Sequence, residues 1–230
     1  MESGSPIQPL QYIRSLQLID SLFPVGAFAY SDGLETAAAA AHVHDGVSLG
    51  LWIDHFLQGV FIPCEGLALV KCMFALRAGD MDTFRRVDEE LTAIRPAASV
   101  RASSTGIGKR LISLCSEIYG DGFRSLACVP SHANAAAAYA LVFFHLKLEE
   151  RHGALAFGYN RVAGIVSAGL RLISMGQRQV QLLLTKTLDR LPDAVDQLLL
   201  IKDEPLRSFS PLLDIEQMNH QYVYSRLFRS

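Results

Sequence analysis

Cysteine is scarce and scattered in this chain, with four residues at 64, 72, 115 and 128 and no C-x-x-C among them. That spacing argues for buried thiols and against a disulfide framework or a zinc site. Charge is also sparse: 19% of residues are Asp, Glu, Lys or Arg, and the net charge is −2. A broad nucleic-acid footprint is thereby excluded. Long uncharged apolar runs are missing too. The best candidate span, Leu155 to Met175, contains Arg161 and Arg171. The opening MESGSPIQPLQ lacks the basic and apolar regions of a signal peptide. The expectation is a soluble, cytoplasmic protein that binds neither nucleic acid nor membrane.

Catalytic motifs are as thin. No G-x-S-x-G elbow is present, and no pair of carboxylates stands out as acid and base. The run Ser104 to Arg110 faintly resembles a phosphate loop. It has Ser103 where the first glycine belongs and Arg110 where Ser or Thr should follow Lys109. A helix interior with two small packing residues explains it better. His42-x-His44 is the one spacing that suggests a metal, and a helix C-terminus accounts for it better. No cofactor, metal site or catalytic residue is therefore expected. A helical metal carrier using His42 and His44 stays open as an alternative, as does an α-helical enzyme built round a hidden pocket.

What the chain does have is apolar residues at helical spacing. Half of its 230 residues are hydrophobic, enough for one sizeable core. No alternating β-branched run and no fixed repeat appear. The pattern predicts an all-α, single compact multi-helix domain of about nine or ten helices. Residues 1–204 would form the core, and 205–230 a linker and C-terminal tail. Met1 to Pro9 reads as a loose arm. Leu10, Ile13, Leu16 and Leu18 form a stripe on the first helix. Ser48 to Phe61 should turn Leu51, Phe56 and Leu57 inward. Pro63 should then start a separate, nearly all-apolar helix running to about Ala78, at the centre of the fold. Pro130 should open a long helix to about Arg151, capped by His152-Gly153. The next helix, from Leu155, carries Gly158, Gly164, Ala168 and Gly169, which suggests close helix crossings. After the polar stretch DEPLRSFSP, a last short helix should carry Ile215, Met218 and Tyr222 on one face.

The most informative stretch is Leu16 to Glu35, LQLIDSLFPVGAFAYSDGLE. Pro24 ends the first helix by pushing Phe23 out of helical angles. Asp32 and Glu35 have the D-x-x-E spacing of a capping box, which would tie both acids to a helix start. The aromatic residues Phe23, Phe28 and Tyr30 predict a packed loop. PVGAFAYSDGLE resembles the signature near the N-terminus of the urease accessory protein UreF family. RLISMGQ (Arg171 to Gln177) and the terminal YSRLFRS (Tyr224 to Ser230) resemble two more of its motifs, in the right order and across nearly the whole chain. Ala27 and Ala29 replace the usual Gly and Ser. Asn219-His220-Gln221 lacks the acid that often follows the histidine, and with it one ion pair of the tail.

The resemblance implies an all-α scaffold without catalytic activity. It implies a homodimer that bridges the GTPase UreG and UreD (also called UreH), and that loads nickel into apo-urease with GTP hydrolysed by UreG. Carried over by motif, Tyr30, Ser31, Asp32 and Glu35, supported by Arg171 and Gln177, would face UreG. The tail residues Tyr222, Tyr224, Arg226, Leu227, Phe228 and Arg229 would contact UreD, being mobile until it binds. For Glu35 the capping role and the partner role stand side by side. So do, for the tail, a partner contact and a fold back onto its own core.

Overall fold

The computed structural model describes residues 7–127 and 130–229. Cys128, most of the expected N-terminal arm and Ser230 lie outside the described residues. Among the described residues every regular element is helical. The centre is one continuous helix from Gly46 to Ala78. It consists of α3 (Gly46–Phe56), a π-helical stretch (Leu57–Glu65) and α4 (Gly66–Ala78). By length and composition this helix could cross a bilayer; here it is mostly buried inside the fold. Leu67, Leu69, Val70, Cys72 and Met73 are fully buried, as the all-round apolar pattern requires.

The expected break at Pro63 does not occur. A proline cannot donate to the carbonyl four residues back, which is that of Gly59. The helix widens to π geometry instead, and other residues take the freed carbonyls. Phe209 N donates to Gly59 O at 3.1 Å, and Arg207 N donates to Pro63 O at 3.0 Å. The polar stretch after Asp203 is thus strapped along the central helix, with Leu206 and Ser210 buried. A Cβ on Gly59 would stand 2.7 Å from Phe209 O, so the strap needs that glycine.

Around the centre pack α5 (Met81–Ile94), α6 (Ala98–Tyr119), α7 (Asp121–Ala127), α8 (Ala135–His145) and α9 (Glu150–Leu172). The alanine run of α8 lets α4 and α6 approach it on two sides; Ala137, Ala138 and Ala140 are fully buried. The phosphate-loop look-alike lies within α6. Its Gly108 faces Ala133 O, where a Cβ would come within 1.9 Å. On α9, a Cβ at Gly158 would meet Leu191, and one at Gly169 would meet Leu49, both under 3.0 Å. These are the close crossings the small residues suggest; Gly164 faces open space.

Two boundaries differ from expectation for one reason. The helix expected from Pro130 to Arg151 starts at Ala135 and ends at His145, and α9 runs on through His152-Gly153. Ala133 (φ 59°) and Lys147 (φ 60°) take left-handed angles without being glycine. At the first, the buried Asp88 carboxylate accepts from the amides of His132, Ala133 and Asn134 at 2.7–2.9 Å. At the second, Leu148 N donates to Phe143 O and Lys147 N to Phe144 O, a Schellman closure with lysine in the glycine position.

The chain ends with α10 (Gln177–Leu188), α11 (Leu191–Leu200) and α12 (Pro211–Asn219). Phe56 and Leu57 point inward as expected, together with Trp52 and Ile53, but Leu51 is exposed, contrary to the reading of the sequence. On α1 (Pro9–Ile19), Leu10, Ile13 and Leu16 are exposed and Leu18 is buried. On α12, Ile215 and Met218 face out, with Tyr222 beyond them; Leu213, Glu216 and His220 face in. Polar partners decide that last case, because the inward Glu216 and His220 each find one.

Candidate functional site

The loop after α1 turns at Gly26, which is left-handed at φ 75°. Ala27–Ala29 makes a single 3-10 turn, and α2 (Leu34–Ala39) follows. The capping box at Asp32 and Glu35 does not form. Ser31 Oγ accepts from Glu35 N at 3.3 Å and does the capping one residue earlier. Asp32 and Gly33 are both left-handed, at φ 52° and 88°. That double turn swings the two acids away from the helix start and into two separate networks.

Asp32 goes to Arg161 on α9, which donates from Nη2 to Asp32 Oδ2 at 2.6 Å. The same guanidinium donates from Nε to Glu65 Oε2 at 2.8 Å and lies 5.2 Å above the Phe56 ring. Glu65 sits at the end of the π stretch and also accepts from Arg95 Nη2 at 2.5 Å. Burial would raise the Glu65 carboxyl, but Arg161 and then Arg95 hold it below its ordinary value. Burial likewise opposes the Arg161 charge, and Asp32 and then Glu65 more than offset it. A buried pair of this kind stands only because each charge has close partners.

Glu35 goes to the C-terminal segment. Its carboxylate is buried and accepts from Leu227 N at 2.5 Å, Phe228 N at 3.3 Å and His220 Nε2 at 2.8 Å. The acid that the Asn219-His220-Gln221 stretch lacks is therefore supplied by α2. A second pair runs the opposite way: His42 Nδ1 donates to the buried Glu216 Oε1 at 2.7 Å. Gln217 Nε2 donates to Asp32 O at 3.3 Å, and a Cβ on Gly33 would meet Gln217 N at 2.9 Å. Helix α12 is thus pinned to α2 along its inner face.

The tail does not hang free, contrary to the expectation of a mobile segment. Phe228 is buried at 3% exposure, and Arg171 lies 4.2 Å above its ring. Arg229 N donates to Ala29 O at 2.7 Å, and Arg171 Nη2 donates to Phe28 O at 3.2 Å. Arg110 on α6 holds the other side of the loop through Val25 O at 2.7 Å and Tyr30 Oη at 3.4 Å. Tyr222, Tyr224, Leu227, Arg226 and Arg229 remain exposed. The residues expected to face two different partners therefore meet in one surface. Tyr30, Ser31, Asp32, Glu35 and Arg171 are joined to Leu227, Phe228 and Arg229. Gln177, exposed at the start of α10, makes no hydrogen bond to that group among the described residues.

Beside the loop lies a groove of about 870 Å³ between α1, α9 and α10, lined by Tyr12, Leu16, Phe23, Tyr30, Asp32 and Arg161 among others. It is mainly apolar; Asp32 and Arg161 in its wall are paired with each other, and Asp20 and His152 also line it. His42 and His44 do not converge: His44 Nδ1 bonds Ala41 O at 3.1 Å while His42 serves Glu216. Among the described residues no group of three or more His, Cys, Asp or Glu is placed to hold a metal.

Reasoning from the sequence missed Glu65, Arg95, Arg110, Arg161, His42, Glu216 and His220 as parts of this region. Two of them carried a signal. Glu65 and Arg161 are charges within apolar helices, and such charges need partners.

Comparison with known proteins agrees with the motif pattern. The sequence model of the UreF family matches residues 43–187. A urease accessory protein UreF of Microcystis aeruginosa is 33% identical over 94% of this chain and 96% of its own length. The proteins of the same name from Trichormus variabilis and Pseudomonas putida are 30% and 32% identical, over at least 95% of both chains in each pair. The chain belongs to the UreF family of urease accessory proteins.

Proposed function

We propose that this protein is a cytoplasmic, non-catalytic adaptor of urease maturation, which bridges UreD and UreG while nickel is loaded into apo-urease. Nickel is cargo in this reading, and GTP hydrolysis belongs to UreG, with this chain as a regulator. The carrying observation is the anchored element with an unpartnered apolar outer side. Inner residues of α12 and the tail are pinned by Glu35, His42 and Asp32. On the outside, Leu212, Ile215, Met218, Tyr222, Tyr224 and Leu227 are all exposed. A contiguous apolar patch on a rigid support is what a protein partner buries. We assign it to UreD, and the loop around Tyr30 to UreG. The exposed stripe Leu10, Ile13 and Leu16 on α1, bordering the groove, is the surface we assign to the homodimer.

The test is co-purification with UreD and UreG, with urease activation as the functional readout. Ile215→Asp with Met218→Asp changes only outward side chains, so the helical fold should remain. UreD should be lost from the complex and activation abolished. Normal UreD recovery with full activation in that double variant would refute the assignment.

A further inference from the structure

The chain has sixteen arginines. Eight of them pair with carboxylates: Arg77, Arg85, Arg95, Arg124, Arg151, Arg161, Arg190 and Arg207. The other eight pair with no carboxylate among the described residues, and three of these, Arg110, Arg171 and Arg229, touch the same six-residue loop. Arg110 and Arg171 donate only to neutral oxygens there, those of Val25, Tyr30, Phe28 and Ser167. Arg229 contributes its backbone N–H to Ala29 O, and its side chain is exposed. Arg226, also exposed, bonds only tail carbonyls. Desolvation draws the Arg171 pKa down, and no acid opposes it.

The acids of the loop motif cannot neutralise this face. Asp32 is taken by Arg161, and Glu35 is turned inward to the tail amides and His220. In a chain of net charge −2, three arginines without acids are thereby gathered round one loop. Each keeps donors in a planar fork that suits a carboxylate.

We propose that this face receives an acidic segment of a partner protein, whose carboxylates pair with Arg171, Arg229 and Arg110 around the Tyr30 loop. The inference rests on the adaptor reading above and gives the chemistry by which UreG is recognised there. Bonds to the loop carbonyls fix Arg110 and Arg171 in place, so little side-chain freedom is lost on docking. Recognition of this kind acts mainly on the association rate and is screened by salt.

The experiment measures association of UreG with the preformed complex of this chain and UreD. Wild type is compared with Arg229→Gln, Arg229→Lys and Arg171→Gln between about 50 and 300 mM sodium chloride, where the screening length falls from roughly 14 to 6 Å. Arg229→Gln is the decisive variant, because the wild-type side chain is exposed and makes no hydrogen bond or ion pair among the described residues. It should slow association by about three- to tenfold at low salt, and the effect should shrink at high salt. Arg229→Lys should restore most of the rate. Arg171→Gln should cost more, with loosening of Phe228 reported separately by hydrogen exchange. Unchanged, salt-independent binding in Arg229→Gln and Arg171→Gln would overturn the proposal while leaving the adaptor reading intact. No UreG binding by wild type at any salt would instead remove the adaptor reading itself. Inorganic phosphate that displaces UreG far better than chloride at equal ionic strength would overturn the acidic-protein assignment in favour of a phosphate site.

Discussion

Replacing Glu35 with alanine tests the central feature of this structure. The carboxylate accepts two backbone N–H groups of the tail, Leu227 at 2.5 Å and Phe228 at 3.3 Å, and a third bond from His220. Hydrogen bonds to an ionised acceptor contribute about 1.5–3 kcal/mol each. Losing the two backbone bonds thus weakens the docked tail by roughly 3–6 kcal/mol, or about 10²–10⁴ in its opening equilibrium. Alanine is the best helix former, so α2 itself should not suffer. The tail should open locally while the central helix stays folded, which is the behaviour of a low-stability cooperative unit. Hydrogen exchange read at single amides is the assay. Protection at Leu227, Phe228 and Arg229 should fall at least about a hundredfold, with little change at Leu67 or Phe143. If those tail amides keep their protection and the amides of α2 exchange faster instead, Glu35 is a helix cap and the docking argument fails.

Asp88→Ala removes the acceptor for three backbone amides and for the side-chain amide of Asn134. It should lower stability by about 3–5 kcal/mol, read as a reduced urea midpoint at constant slope. Gly33→Ala puts a Cβ at left-handed φ 88° and 2.9 Å from Gln217 N. A loss of about 1–3 kcal/mol by thermal melting is expected, with faster exchange in α12. Glu65 has a folded pKa below its ordinary value of 4.5, so its contribution is present above that value and is lost as pH falls through the depressed one. Glu65→Gln should therefore be less stable than wild type at pH 7, and the difference should shrink as pH falls below 4.5 and close once pH passes the depressed pKa; a constant difference down to the acid limit would contradict the pairing.

The fold class was legible because the core helices carry periods that tertiary structure does not overrule. The run from Leu67 to Leu76, apolar but for Lys71, reads as central, and it is. The errors gather where the backbone turns left-handed at residues that give no sign of it. Asp32, Ala41, Ala133 and Lys147 all do so, and none is glycine. Each turn is stabilised by partners remote in sequence or by a closure that leaves no composition signal. The same limit hid the site. His220 meets Glu35 across 185 residues, and no local pattern reports such a pairing.

The outward apolar faces of α1 and α12 follow from a further point of physics. Apolar periodicity shows that a helix has an apolar side, not that the side faces its own core. On α12 the core-facing positions are Leu213, Glu216 and His220, and two of the three are polar. Their burial is tolerable only because Glu35 and His42 complete their hydrogen bonds. With the inner face held by polar pairs, the apolar residues Leu212, Ile215 and Met218 are left to the outside. A helix that served only to cover the core would reverse that arrangement, since apolar burial stabilises without needing matched partners. The polar inner face fixes one register of α12 against α2, because a shift of one residue would strand two buried polar groups, Glu216 and His220. The outward apolar residues and the arginines round the Tyr30 loop are thereby presented at fixed positions, which is what the proposed docking of two partners requires.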